Sequence, residues 1–417
     1  MKNIFYILFV FVSLQLLYSQ HTHAHDKCGF SIHHDVRQVR PELETYFDSN
    51  SGKFRIHYDT TGEHAPTQGD LNEDNIPDYI ESAGEFADEV RNVLLEDMGY
   101  NDFILDDDGV YDIYIQNLPS LYYGVNYPDD EVDRASFIVV DNGFEAENYP
   151  SVGLDGLKVT IAHEYFHAIQ RTYSDYISSD DIYFWELSST WIEDVIYPEV
   201  NDYLNWVNPY LENPETSITE YNMNGPDMGY SLALFGHYLS ILYDLDGNEY
   251  ANEKNSLIIR KIWEVIDSNE NALSAINSVL SSDDYGSSFV DAWVDFTARN
   301  LFNGDTAYRY YIDQDIINPI NTNLLSLEVS DSQLYPLNNS SVKILSFNLD
   351  ECSNGSNYEI NTSIDINNYK RLFAYKSHDY WELSQINDNI FQNGTIDNPY
   401  WNWNEVHLII SSYEDVN

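Results

Sequence analysis

The sequence predicts an α+β fold followed by a small β-sandwich. An alternating segment at 54–58 and short apolar segments at 111–115 and 137–140 are typical of strands. Segments with helical spacing of apolar residues lie between and after them, and they dominate residues 257–299. Alternating segments return after residue 318. A hydrophobic content of 43% is ample for packed cores, and the length of 417 residues fits two domains or three.

The N-terminus predicts a signal peptide at residues 1–20. Lys2 precedes an almost entirely apolar run from residue 4 to residue 17, and Ser19-Gln20 or Ala24 offers a small-residue cleavage region. The run is short for a membrane span, and an uncleaved anchor is the alternative. We expect an exported chain, secreted or periplasmic, with an N-terminal arm at residues 21–49 and no membrane span after cleavage.

Acidic residues dominate the charge of the chain. With 70 Asp and Glu against 19 Lys and Arg, the formal net charge is -51. A surface this negative repels nucleic acids and anionic membranes, so neither is expected as a partner. The negative charge favours binding of divalent cations, but it does not identify a substrate.

An acidic stretch at residues 70–81 has the spacing of a calcium-binding loop. Counted from its first residue, oxygen ligands fall at positions 1, 3, 5, 9 and 12, and a backbone carbonyl is available at position 7. Position 6 is Asn75 where glycine is usual, and asparagine tolerates the left-handed conformation. The alternative is an ordinary acidic turn before a helix. The candidate calcium ligands are Asp70, Asn72, Asp74, Ile76 through its carbonyl, Asp78 and Glu81.

A helix is predicted directly after this loop, at residues 79–98, because its apolar residues form one stripe and Gly99 follows. The segments at 111–115 and 137–140 follow as strands.

Residues 159–170 contain an H-E-x-x-H motif on a predicted helix. His163 and His167 are four residues apart and therefore share one helix face, where two imidazoles can bind one zinc ion. Glu164 lies beside them and could take a proton from a zinc-bound water. The opposite face has apolar residues at helical spacing, which would anchor the helix in a core.

A third zinc ligand is predicted at Glu186. Gln170 and Tyr173 stand where the metzincin class requires Gly and His, so that class is excluded. Eighteen residues separate His167 from Glu186, and Glu186 shares a face with Glu193 on a helix that ends before Pro198. A His2Glu set leaves a fourth position for water. Glu193 or Asp194 could orient a histidine, or could be ordinary solvated acids.

These motifs resemble the gluzincin metallopeptidases, the clan of thermolysin and the aminopeptidase-N-like enzymes. The longer signature and the calcium loop are similar to a group of exported bacterial metalloproteases, over about residues 50–300. The resemblance implies a gluzincin-like catalytic domain at residues 50–318, with a sheet beside the active-site helix and a helical second half. It also implies zinc at His163, His167 and Glu186, and Glu164 as the base. By this analogy the segment at 137–140 would be the strand along which an extended substrate adds.

The sequence departs from the aminopeptidases of this clan. Leu-Ser-Ser follows Glu186 in place of Gly-Phe-Ala, and their exopeptidase motif is missing. Endopeptidase action on protein or peptide substrates is therefore favoured. An oxyanion donor is expected on a later helix, where Tyr230 and His237 share one face; with 35 tyrosines in the chain, a packing role is the default alternative.

The C-terminal region, residues 319–417, predicts the β-sandwich from strands at 342–347, 358–364, 372–375 and 406–410. Such a domain could bind a surface or substrate, or only pack on the catalytic domain. The two cysteines, Cys28 and Cys352, could form one disulfide or stay unpaired, and they do not have the spacing of metal ligands.

The sequence therefore favours an exported zinc endopeptidase with one catalytic Zn²⁺ and one structural Ca²⁺. The main alternative is a calcium-stabilised surface or adhesion protein whose zinc site is structural. Such a site would require a fourth protein ligand. A zinc hydrolase that acts on a substrate other than peptides is a third possibility.

Overall fold

The computed structural model describes part of the chain. The described residues are 27–30, 38–66, 69–105, 108–118, 122–129, 132–145, 149–174, 178, 180–222, 227–244, 253–266, 270–304, 313–325, 340–348, 357–359, 369–376, 381–384, 390–392 and 405–412. The expected signal peptide and Cys352 lie outside them. No helix in these ranges is both long and apolar enough to cross a membrane.

The first sheet is mixed, with strand order β1-β2-β3-β5-β4. The pair β1–β2 and the pair β4–β5 are antiparallel, while β2–β3 and β3–β5 are parallel. The central strands are apolar along most of their length because residues on both faces of the sheet are buried. The strands are β1 (Thr45–Asp48), β2 (Phe54–Tyr58), β3 (Tyr111–Gln116), β4 (Gly124–Pro128) and β5 (Ser136–Asp141).

One expectation about this sheet is wrong. The segment at 137–140 lies in β5, which is paired on both sides, by β3 and by β4. A strand whose two edges are already paired has no backbone groups left for an extended substrate. The two edge strands are β1 and β4, and the one next to β5 is β4, which the sequence analysis did not predict.

The helices follow the predicted apolar patterns. The predicted helix at 79–98 is an α-helix that ends in a π-helical turn at Val93–Asp97. The long motif-bearing helix packs on β4 and β5 and against the next helix in the chain. The α-helices are α1 (Asp78–Asn92), α2 (Leu154–Tyr173), α3 (Ile182–Ile196), α4 (Asn208–Glu212), α5 (Asp227–Ser231), α6 (Ala233–Leu239), α7 (Ile258–Ile266), α8 (Ala272–Leu280) and α9 (Phe289–Asn300).

The C-terminal strands form a second sheet. Its strand order is β10-β9-β12-β7-β6, and β9 and β12 pack against α9. A separate two-stranded sheet pairs β11 with β8. The fold is thus α+β with a mixed sheet and a separate small sheet, whereas the predicted sandwich of two facing sheets is not seen in the described residues. The strands are β6 (Leu324–Leu325), β7 (Val342–Asn348), β8 (Asn357–Glu359), β9 (Tyr369–Lys376), β10 (Trp381–Ser384), β11 (Ile390–Gln392) and β12 (Glu405–Ser412).

Candidate metal centre

Helix α2 is buried along most of its length, on both its polar and apolar faces. Its predicted apolar face, Val159, Ala162, Phe166 and Ile169, is at most 1% exposed. The histidines of the motif are also buried, although imidazoles are seldom buried without partners. The partners of these histidines therefore decide what the helix does.

Four side chains converge beside α2. Ligand atoms of Cys28, His163, His167 and Glu186 all lie within 4.8 Å of one another, and all four residues are buried. The two histidines come from successive turns of α2, and Glu186 comes from α3, which packs against α2. The structure thus brings together the three predicted zinc ligands and adds Cys28, which the sequence analysis had set aside. Within the described ranges this is the one such group of His, Cys, Asp or Glu side chains.

Three of the separations between these atoms are close to those of a tetrahedral zinc site. Bonds of about 2.0–2.1 Å to nitrogen and oxygen place two such ligand atoms roughly 3.3 Å apart, and a sulfur bond of about 2.3 Å raises a nitrogen–sulfur separation to roughly 3.6 Å. Glu186 Oε2 lies 3.1 Å from His163 Nε2 and 3.7 Å from His167 Nε2. Cys28 Sγ lies 3.5 Å from His167 Nε2. These three separations suit one zinc ion, whereas the limit of 4.8 Å for the whole group means that the other pairs would close by up to about 1.5 Å around the ion.

The opposite nitrogen of each histidine is hydrogen bonded, which fixes the tautomer. His163 Nδ1 donates to Glu193 Oε1 at 2.6 Å, and His167 Nδ1 donates to Gln170 Oε1 at 2.7 Å. The Gln170 amide nitrogen donates to the Trp185 carbonyl, which sets the orientation of the amide. Each Nε2 therefore presents its lone pair to the centre, as a metal ligand requires. Of the two acids left open by the sequence, Glu193 is the one that orients a histidine.

Burial shifts the pKa of His163 and of the neighbouring Glu164. It lowers the pKa of His163 to about 4, against a smaller opposing effect of Glu186, so the imidazole is neutral near pH 7. Burial also raises the pKa of Glu164 well above its usual value. The Glu164 carboxyl interacts with the Cys28 thiol, yet its Oε2 is buried with no hydrogen-bond partner among the described residues.

Strand β4 passes very close to Glu164. A Cβ atom on Gly124 would lie 2.8 Å from Glu164 Cγ and 2.7 Å from Thr160 Cγ2, so a side chain at this position would collide with α2. The edge strand of the sheet therefore runs directly past the glutamate of the motif.

The structure separates the two candidate oxyanion donors. The Tyr230 hydroxyl lies at the cluster: it accepts from the Cys28 amide at 3.1 Å, and the Tyr230 ring is 5.9 Å from the His163 ring. His237 instead contacts Glu253, with Nδ1 to Oε2 at 3.1 Å, and its Nε2 is 3.6 Å from Asp194 Oδ2. Tyr230 is thus brought to the centre, whereas His237 belongs to a second buried group of charged residues.

The predicted calcium loop is folded around its own backbone amides. Asp70 accepts from the amides of Asp74 at 3.1 Å and Asn75 at 2.8 Å, and Asp78 accepts from the Leu71 amide at 3.0 Å. Asn75 has the expected left-handed conformation, with φ of 71°. Asn72 donates to Asp74 Oδ2 at 3.1 Å and to Glu81 Oε2 at 3.3 Å, and the Ile76 amide donates to Asp74 Oδ1 at 2.9 Å. The carboxylates of the loop do not form a second compact ligand group of the kind found at α2.

Cys28 is the functional residue that sequence reasoning missed. It is a free thiol in the structure, so the disulfide considered above is not formed there. The sequence has histidines near Cys28, in residues 21–25 and at His33 and His34, but the partners found beside it in the structure come from α2 and α3, more than 130 residues away. No local spacing could have identified those partners.

No protein-family model matches the chain, and a comparison with curated proteins gave no match. The functional assignment therefore rests on the chemistry and geometry of the residues, and the gluzincin resemblance stays a prediction.

Proposed function

We propose that the protein is an exported zinc-dependent endopeptidase. One observation carries the proposal: the histidines of the H-E-x-x-H motif and Glu186 converge with the atom separations of a tetrahedral zinc site, with Glu164 beside them. The predicted signal peptide supports export, and its cleavage would place the enzyme in a secreted or periplasmic compartment.

A zinc ion held by His163, His167 and Glu186 would polarise a peptide carbonyl and lower the pKa of a water molecule. Glu164 is placed to accept the proton of that water and to deliver it to the leaving amine. Tyr230 is placed to donate a hydrogen bond to the oxygen on which negative charge develops.

Edge strand β4 supports a peptide as the substrate. Its outer backbone groups run past Glu164, and an extended peptide can pair with such an edge by main-chain hydrogen bonds. This pairing would hold the scissile bond next to the metal centre. An active site built for a small non-peptide ester or amide would not need the edge strand.

A structural zinc site is the second candidate, and Cys28 favours it. Four protein ligands without an open position are typical of structural zinc. Glu164 argues against this reading, because a structural site has no use for a buried carboxyl oxygen without a hydrogen-bond partner, which is costly to maintain. Tyr230 is also in place at the centre, as an enzyme would require.

We also propose a structural Ca²⁺ in the loop at residues 70–81. Support comes from the ligand spacing, the left-handed Asn75 and the crowding of acids around Glu81. Partial burial raises the Glu81 pKa, and the nearby Asp74 and Asp78 carboxylates raise it further. A bound cation would relieve this repulsion.

The decisive experiment measures zinc content and hydrolysis of labelled casein. It uses the Cys28→Ser chain, in which the fourth coordination position of zinc is no longer occupied by a thiol. The double variant Cys28→Ser/Glu164→Gln is the matched control. We expect one zinc per chain in both, and hydrolysis that falls at least about 100-fold in the control because the general base is lost. Equal hydrolysis in both chains would exclude this mechanism, and bound zinc without hydrolysis of a peptide library would favour the structural site.

Glu186 can be tested separately. Glu186→Gln removes the negative charge of the ligand but keeps its size, so zinc affinity should fall by at least about 10-fold. Competition with a chelating dye measures this affinity. Unchanged affinity would show that another residue is the third ligand.

A further inference from the structure

We propose that residues 27–30 form a plug that keeps the enzyme inactive, with Cys28 as the fourth ligand of the zinc ion. This inference rests on the proposed function. It assigns one more metal ligand and identifies the chain's own N-terminal segment as the first occupant of the substrate site.

The plug is paired with the edge strand that a substrate would use. Cys28 forms a parallel β-bridge with Gly124, the Gly29 amide donates to the Gly124 carbonyl at 3.1 Å, and the Tyr123 amide donates to the Lys27 carbonyl at 2.9 Å. These hydrogen bonds occupy the outer edge of β4 beside Glu164. A peptide substrate cannot add to the same edge while they persist.

Cys28 also occupies the groups that the proposed mechanism uses. Its sulfur is 3.5 Å from His167 Nε2 and interacts with the Glu164 carboxyl. Its amide donates to the Tyr230 hydroxyl, and the same hydroxyl donates to the Cys28 carbonyl at 3.3 Å. One residue therefore fills the position that water would take and engages both the base and the tyrosine.

Lys27 anchors the plug in the protein interior. Its ammonium is 2.6 Å from Glu193 Oε2 and contacts the Asp202 carboxylate, and the side chain is 1% exposed. The ammonium also lies 5.5 Å from the centre of the Trp206 ring. A buried lysine is tolerated only with such partners, so these contacts specify where the segment sits. Glu193 also orients His163, which links the anchor to the metal centre.

The Phe30 side chain packs against a proposed zinc ligand and its neighbours. Its ring stacks on the His167 ring with centroids 3.9 Å apart and an angle of 8° between the planes. It also lies 5.3 Å from the centre of the Trp185 ring and from the Arg171 guanidinium carbon. The plug therefore pairs with the edge of β4, reaches the proposed metal position and packs one side chain beside it, as a bound peptide would.

Activation in this scheme is a ligand exchange. Cys28 would leave the metal position as a thiolate and take up a proton from solvent, and a water molecule would replace it beside Glu164, with no transfer of electrons. A chain with the plug seated should be inactive, and a chain that cannot form the sulfur bond should be active.

The test combines the absorption spectrum of the cobalt-loaded protein with the peptidase activity of the zinc-loaded protein. Full-length chains loaded with Co²⁺ report sulfur ligation by thiolate-to-cobalt absorption in the near ultraviolet, and zinc-loaded chains report hydrolysis of labelled casein. The variants are Cys28→Ser, the matched control Cys352→Ser, and Lys27→Met, which removes the anchoring charge while keeping an unbranched chain.

We expect the thiolate absorption in the unmodified chain and in Cys352→Ser, and its loss in Cys28→Ser. Casein hydrolysis should rise at least about 10-fold in Cys28→Ser at equal zinc content, and it should rise in Lys27→Met as well. Retention of the absorption in Cys28→Ser, or equal hydrolysis by the unmodified chain, overturns the proposal. If Cys28→Ser does not fold, the Lys27→Met variant tests the proposal instead, because unchanged casein hydrolysis in this variant also contradicts the plug.

The two proposals fail in different ways. Loss of the absorption in Cys28→Ser without hydrolysis by any variant keeps Cys28 as a ligand but contradicts the peptidase function. Hydrolysis that depends on Glu164, without thiolate absorption in the unmodified chain, keeps the peptidase and removes the plug.

Discussion

A series of buried polar contacts, each between two side chains, connects the metal centre to the protein interior. His163 is held by Glu193, Glu193 by Lys27, and Lys27 by Asp202. Asp202 in turn accepts from the Trp206 indole at 3.0 Å. Since each buried charge has an opposite charge or a donor beside it, removal of any member leaves a buried partner uncompensated.

A second buried group surrounds Asp194, and it should make stability depend on pH. Burial raises the pKa of Asp194 to about 8, although nearby His237 opposes the shift. The folded chain therefore binds a proton that the unfolded chain releases above about pH 4. The free energy of unfolding should fall as the pH rises from about 4 to about 8.

The Asp194→Asn variant tests this effect, because it keeps the shape of the neutral acid but cannot ionise. Its free energy of unfolding should depend less on pH, and its advantage over the unmodified chain should grow from pH 5 to pH 8. Urea unfolding at a series of pH values measures both curves, with the exposed Asp155→Asn as the control. Parallel curves for Asp194→Asn and the unmodified chain would contradict the assignment.

The site residues that share one helix or a fixed spacing along the chain could be predicted from the sequence. Those that reach the site only through the tertiary fold could not. His163, Glu164 and His167 follow from the helical period, and Glu186 follows from a fixed spacing along the chain. Cys28 and Lys27 meet α2 and α3 only through the tertiary fold, and no local pattern signals such a contact. The choice of Glu193 over Asp194 as the partner of His163 also needed the orientation of α3 against α2.

At the scale of elements, the contact between β4 and α2 positions the site. Strand β4 was not predicted, because its sequence, Gly-Val-Asn-Tyr-Pro, contains glycine and proline and shows little alternation. The same glycine allows the strand to approach the helix. The predicted strand at 137–140 formed as expected, but strand order in a sheet is a long-range property, so the edge was assigned to the wrong strand.

Replacement of Gly124 should separate β4 from α2. In Gly124→Ala the new methyl group would lie 2.7 Å from Thr160 Cγ2, which requires the strand or the helix to shift. Such overpacking costs about 1–3 kcal/mol. We expect lower stability by thermal unfolding and a loss of casein hydrolysis in the Cys28→Ser background. Gly69→Ala, which meets no atom within 4 Å, serves as the control, and equal effects of both substitutions would be evidence against the role of this contact.

The calcium loop is the other element whose role can be tested directly. Millimolar Ca²⁺ should raise the unfolding temperature, because a ligand at about 100 times its Kd adds about 2.7 kcal/mol to the stability of the folded state. The double variant Asp70→Asn/Asp74→Asn should lose this response, while added Mg²⁺ should have a smaller effect on the unmodified chain. A calcium response of equal size in the variant would place the cation elsewhere.

For the whole molecule, the relation between the C-terminal sheet and the rest of the chain matters most. The sequence correctly indicated a return to strands after residue 318, and β7, β9 and β12 cover three of the four predicted segments. It could not show what those strands pack against. Val342, Leu372, Ala374 and Ile409 belong to the same hydrophobic core as the residues of α2 and α3.

A chain that ends at residue 318 should therefore be much less stable than the full chain. Each large apolar side chain of the shared core contributes about 1.5–3 kcal/mol on burial, and a folded protein is stable by only about 5–15 kcal/mol in total. Loss of Val342, Leu372 and Ile409, together with the exposure of their partners on α9, would remove much of that margin. Circular dichroism and urea unfolding of residues 1–318 measure the effect, with a chain ending at residue 412 as the control. An unchanged unfolding midpoint for 1–318 would instead show that the C-terminal sheet is an independent accessory domain, because only a separate core could be removed without loss of stability.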